Sequence, residues 1–151
     1  GRRVLAPAAT TNETLLRQAN TEGQLGIEVD VSVSTRSALR QVLAGEADAV
    51  YASAAVGAAE LLRANALGTH KVVTLGGIEE PFACMLPNDD PAFKAVVDRV
   101  LAEMMASGEM TRLYVRWFES PIPPYNRALM LPINRATQQA YASPTDAPMA
   151  D

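Results

Sequence analysis

At 151 residues, 48% hydrophobic and 20% charged, the chain has the make-up of one globular domain, large enough to bury about two-thirds of its unfolded surface. Its net charge of −4, with scattered basic residues and no Lys/Arg block, argues against nucleic acid as a partner, because neutralising a phosphate backbone needs a positive patch. No apolar run approaches the roughly 18 residues of a membrane span, and with His70 and Cys84 each alone of its kind there is neither an internal disulfide nor the ligand set for zinc.

In chain order, Arg3 to Ala6 read as a short strand. Thr10-Thr11-Asn12-Glu13 then opens a helix carrying Leu15, Leu16 and Ala19. Thr10 and Glu13 have the spacing of a capping box, in which each side chain satisfies an orphan N–H of the other. Ile27, Val29 and Val31 alternate with the period of a half-buried strand. A helix from about Thr35 to Ala44 follows, with Ala38, Leu39, Val42 and Leu43 inward and Gly45 as its stop. Ala47 to Ala52 is apolar and short, which predicts a central strand, and the Ala-rich Ser53 to Asn65 is helical. Lys71 to Leu75, closed by Gly76-Gly77, and Phe82 to Leu86 read as two further strands, with Cys84 a small core hydrophobe inside the second.

Asp90 is placed to cap a helix with Pro91 at its first position, where a missing N–H costs nothing. Phe93, Val96, Val97, Val100, Leu101, Met104 and Met105 form one apolar stripe along it. Ser107-Gly108 breaks the helix, and a second short one carries Leu113, Tyr114, Trp117 and Phe118 before the Pro-rich stop at Ser120–Pro124. A weak helix near Asn134 to Tyr141 precedes a tail expected to be disordered. Strand and helix alternate up to about residue 105, which argues for an α/β fold with a mostly parallel sheet flanked by helices.

The Cys-Met-Leu strand, the Asp-Asp-Pro cap, the Ser-Gly-Glu break and a Trp-Phe before Pro-Ile-Pro-Pro resemble the C-terminal part of periplasmic amino-acid-binding proteins. These are the type II, Venus-flytrap receptors of ABC importers, and the likeness is to the glutamate/aspartate-binding branch. GRRVLAPAATTNETLL is similar to the strand–turn–helix that opens their second lobe, and ALRQVLAGEADAVYAS to a later helix–Gly–strand, so the likeness runs over about residues 2–135. It implies that residues 1–86 form lobe 2 with its crossover strands, 87–142 a returning helical segment that packs on lobe 1, and 143–151 the tail. The bulk of lobe 1, with the family's arginine for the ligand α-carboxylate, would be missing. GRRVLAPAAT lacks the apolar core of a signal peptide, so the likeness implies a periplasmic protein whose leader, and more chain, lies upstream of Gly1.

The implied site is Thr10, Thr11, Thr35 and Ser53. A helix N-terminus offers unpaired N–H groups and partial positive charge to a carboxylate. The family's Thr-Thr pair contacts the ligand carboxylate, a role that falls most directly on Thr11, while Thr10 also reads as a plain cap. Ser53 stands where the family usually has an aspartate for the ligand ammonium; a hydroxyl accepts a hydrogen bond but cannot neutralise a buried charge, and a neutral helix cap is its other reading. Thr35 or Arg36 stands near a ligand-facing histidine of the branch. Arg36 could pair an acidic ligand side chain bidentately or simply be a solvated charge. Glu79-Glu80 and Asp89-Asp90 are adjacent pairs beside prolines, so they diverge or cap rather than converge on one bond, and no catalytic residue, metal or cofactor is expected.

The implied function is solute binding by lobe closure, for an acidic or polar amino acid delivered to an ABC permease. Sensing domains of receptor kinases and a few dehydratases share the fold, and an isolated lobe without binding activity is a further reading. The stripe from Phe93 to Phe118 lacks its usual cover, which predicts either docking onto the same lobe or association with a second chain, a homodimer.

Overall fold

A computed structural model of the chain describes residues 1–73 and 82–147. The chain forms two compact units, Gly1–Thr74 and Leu75–Asp151.

The first unit is α/β. Strand β1 (Arg3–Pro7) pairs in parallel with β2 (Glu28–Ser32) on one side and β3 (Ala49–Val50) on the other, giving the order β2-β1-β3. Helix α1 (Thr11–Glu22) joins β1 to β2 and packs on both, whereas α2 (Thr35–Leu43) crosses back to β3 and packs on all three strands and on α3 (Ala54–Arg63). Because parallel crossovers are right-handed, reversing direction across the sheet puts α1 and α2 on opposite faces. Leu5 and Ala6 of β1 are consequently sealed from solvent, as are Ala38 of α2 and Ala58 of α3.

Of the run Ala47–Ala52, expected to be a central strand, Ala49–Val50 form β3, which among the described residues stands at the edge of the sheet. An apolar run reports that a strand's faces are covered and carries no information about whether both of its edges are paired. The central place goes to β1, which both its neighbours bond. At the opposite end from the helix N-termini the sheet is clasped by side chains. Arg3 Nη2 meets Asp30 at 2.5 Å, Arg3 N–H donates to Asp48 at 2.8 Å, and Arg2 pairs with Asp48 at 2.7 Å.

Gly45 does stop α2. Its φ of +76° lets the chain turn back so that Gly45 N–H donates to Val42 O at 3.0 Å and Glu46 N–H to Gln41 O at 2.8 Å, the paired closure of a Schellman motif. Asn65, also at positive φ, closes α3 in the same way. Of the four residues expected to face inward from α2, Ala38 is buried and Val42 packs on the core, but Leu43 is 38% exposed at the last turn.

The second unit is helical: α4 (Pro91–Ala106), α5 (Glu109–Tyr114) running into a π-helical turn (Val115–Glu119), and α6 (Arg135–Ala142). Asp90 caps α4 as its sequence suggests, accepting the Phe93 N–H at 2.8 Å, and Asn134 caps α6 likewise through Thr137 N–H. Gly108, at φ +74°, makes the break between α4 and α5. The stripe on α4 exists but lies half open, with Phe93 46%, Val96 47% and Val100 41% exposed. Tyr114 stacks on Phe118 at 4.5 Å one turn later. After α6, Asp146 returns to Lys94 at 2.6 Å, and Lys94 also holds Asp98.

Neither residues 71–73 nor 82–86 form strand, contrary to the two further strands read from their apolar character. A strand exists only against a partner that takes up its N–H and C=O groups, and none is paired with these residues among the described ones. Phe82 and Met85 are accordingly 90% and 98% exposed, and Cys84 is exposed rather than a core residue. The remainder of the Lys71–Leu75 reading, with Gly76-Gly77 and Glu79-Glu80, lies outside the described residues.

Candidate functional site

In a parallel sheet every strand ends at the same edge, so the segments that follow β1, β2 and β3 share one rim. Thr10 and Thr11 follow β1, Thr35 follows β2 and Ser53 follows β3, which brings all four residues singled out in the sequence to the helix N-termini of that rim. The reversal of strand order beside β1 makes this the topological switch point, where open α/β sheets characteristically take their ligands. An Ala8 N–H bond to Ser32 O at 2.8 Å ties the β1–α1 turn to the end of β2.

The two threonines have different work. Thr10 is committed to the protein: its hydroxyl donates to Pro7 O at 2.7 Å and accepts from Glu13 N–H at 3.4 Å. Thr11 is exposed, opens α1, and its hydroxyl bonds to no protein group among the described residues. The capping box differs from its sequence form in one bond. Glu13 reaches back to the N–H of Ala9, at 3.0 Å, rather than to that of Thr10. That N–H, and after it the Arg17 guanidinium, holds the Glu13 carboxyl below the usual carboxylate range.

Ala9 explains the difference. It sits at φ +54°, a left-handed conformation that costs a residue with a Cβ about 1 kcal/mol or more. The tight turn points its N–H into the reach of Glu13. The sequence offers no signal for this, because glycine would be the marker of such a turn and alanine occupies the position.

Thr35 is the first residue of α2, and the cap is its neighbour Ser34, whose hydroxyl accepts the Ser37 N–H at 3.1 Å. Ser53 occupies the cap position of α3 but its side chain makes no capping hydrogen bond, so the neutral-cap reading holds for position and not for the bond. Arg36, half exposed, is held in an ion pair on the protein itself. Its Nε and Nη2 fork onto the two carboxylate oxygens of Glu60, at 3.0 and 3.3 Å, because α2 and α3 lie side by side. Ser34, Thr35, Arg36, Val56 and Glu60 line one shallow groove beside the rim.

Among the described residues no group of three His, Cys, Asp or Glu side chains is placed to hold a metal ion, and no helix is long and apolar enough to cross a membrane. What the rim offers is helix N-terminal N–H groups with the hydroxyls of Thr11, Thr35 and Ser53, while Glu13 and the Arg36–Glu60 pair beside them are engaged with the protein. Such a surface can orient a small anion or polar solute.

The chain has relatives in sequence. The family model for bacterial extracellular solute-binding proteins, family 3, matches residues 14–120. The L-glutamate/L-aspartate-binding protein of Pseudomonas aeruginosa is 31% identical over 146 residues, 97% of this chain and 48% of the relative. A glutamate/aspartate import solute-binding protein of Salmonella typhimurium is 28% identical over 97% of this chain and 48% of its own, and its Escherichia coli counterpart 28% identical over 95% and 47%. The chain thus spans about half the length of the curated relatives it matches. With a match over more than two-thirds of its residues, and an α/β unit and helical segment of the type II periplasmic-binding fold, the chain belongs to the bacterial extracellular solute-binding proteins, family 3.

Proposed function

We propose that the chain is the solute-binding component of an amino-acid importer, taking an acidic or polar amino acid. The observation that carries this reading is the convergence of Thr11, Thr35 and Ser53 at one rim of a family member whose relatives are named for glutamate and aspartate. On this reading residues 1–86 act as the second lobe, 87–142 as the segment returning toward the first, and 143–151 as a tail. The first lobe holds the solute, and closure adds the Thr11 hydroxyl and the α1 N–H groups to its carboxylate, with Thr10 holding the turn in shape. Thr35 faces the solute side chain, and Ser53 accepts from the ammonium without neutralising it. No bond is broken. The loaded receptor is periplasmic and hands its solute to an ABC permease.

A thermal-shift titration against the common L-amino acids and their amine-free analogues tests this. Binding to the native state alone raises stability by about 2.7 kcal/mol at a hundred-fold excess over Kd. A shift with glutamate or aspartate that Thr11→Val reduces is the expected result. A shift with amine-free acids only would move the solute class, and a flat response across the panel would count against a working site in this chain. A second reading, association of two copies through α4, rests on the exposure of Phe93, Val96 and Val100; a monomeric mass in sedimentation at micromolar concentration would remove it.

A further inference from the structure

We propose that Glu60 is a positioning residue: its grip on Arg36 fixes the N-terminus of α2 against α3 and so sets Thr35 relative to Ser53. The inference rests on the solute-binding reading for its functional consequence. The sheet by itself fixes this spacing poorly. α2 rises from β2 and α3 from β3, and these strands are not neighbours; β1 lies between them, and β3 contributes only the two residues Ala49–Val50. The rim is therefore well anchored at β1 and β2 and lightly anchored where Ser53 emerges.

The fork makes good that weakness. Arg36 comes directly after Thr35, and Glu60 lies two helical turns beyond Ser53, so the bond ties the start of α2 to the second half of α3, whose rigid rod carries the constraint back to Ser53. Two parallel N–H···O bonds restrict orientation as well as distance, which a single contact would not. The Glu60 side chain is only 14% exposed and has a second guanidinium, Arg63, at 3.8 Å, which keeps its carboxylate turned toward the α2–α3 seam. Arg36 is 48% exposed, so the pair adds little to global stability, and its role is geometric.

The test compares the unaltered chain with Glu60→Gln and Arg36→Lys, the second keeping the charge but losing the fork. Amide hydrogen exchange is read at Ala38, whose N–H donates to Ser34 O in the first turn of α2, and at Thr14, whose N–H donates to Thr10 O in α1. Both variants are expected to speed exchange at Ala38 about fivefold, the worth of an exposed pair, with Thr14 unchanged. The Kd for L-glutamate and L-aspartate, by calorimetry, is expected to rise by a similar factor with Tm unmoved. Faster exchange at both amides would mean general destabilisation and would overturn the proposal, as would unchanged exchange at Ala38. A Kd that stays put while α2 loosens would also overturn it. If the unaltered chain takes up neither amino acid, the solute-binding reading fails, and exchange at Ala38 and Thr14 still decides whether the fork positions α2.

Discussion

The two units spend their apolar residues differently. In the first, Leu5, Ala6, Leu16, Ala38, Ala47, Ala58, Leu61, Leu62 and Ala66 are buried around a three-stranded sheet. In the second, Leu129 is the one buried hydrophobic residue among those described, and the long helix α4 buries none of its side chains fully. Two layers of helix closing on a sheet give the first unit a core of its own. In the second, the described residues form three helices and no sheet, and the stripe of α4 lies half in water, which is the condition of a surface made to be covered.

The largest effect that would sharpen this contrast is a cavity in the first unit. Leu5→Ala, at a site with no solvent exposure, is expected to cost about 2–5 kcal/mol, read from urea unfolding. Val100→Ala, at a site 41% exposed, is expected to cost no more than about 1 kcal/mol. Equal losses would break the comparison and mean that α4 is covered in solution.

Next come the caps, which should act alike in both units because they are local. Thr10→Ala and Asp90→Ala each remove a side-chain acceptor from a helix start and are expected to cost about 1 kcal/mol. A much larger loss for Thr10→Ala would show that its bond to Pro7 O holds the rim turn as well.

The smallest effects are electrostatic, and they run in both directions of pH. In the first unit, the Arg3 guanidinium holds the Asp30 carboxyl low, and the Arg3 N–H followed by the Arg2 guanidinium does the same for Asp48. Carboxyls lowered by folding contribute stability that is whole above their unfolded value of about 4 and is lost as pH falls through the lower folded value. In the second, Asp146 and then Asp98 push Lys94 up to about 12. That contribution is whole below the unfolded value near 10.5 and is lost as pH rises toward 12. Urea midpoints should therefore fall with acid in a way that Asp30→Asn weakens, and fall with alkali in a way that Lys94→Met weakens. Both slopes should flatten in high salt, since all these groups face water.

Much of this was legible in the sequence where the signal is local. The caps at Thr10 and Asp90, the Gly45 and Gly108 stops and the helical stripes depend on residues within one or two turns. The candidate residues Thr10, Thr11, Thr35 and Ser53 came from the family likeness, and the parallel order of the strands brings them to one rim. What failed was pairing. Whether Ala47–Ala52 is central or Phe82–Leu86 is a strand at all depends on a neighbour far away in the chain, and an apolar run is silent about that. Arg36 belongs to the same class, since its partner Glu60 is 24 residues on and reached only because α2 and α3 pack together. Ala9 is a separate case: its left-handed turn is imposed by Pro7 O and Glu13 against its own preference.

The most direct test of the account is to titrate the 15N-labelled chain with L-glutamate and follow its amide resonances, which detect even weak binding. The account requires saturable shifts at Thr10, Thr11, Thr35 and Ser53, abolished at the first two by Thr11→Val, with α4 silent. Shifts confined to the second unit, or none at the rim at any concentration, would contradict it.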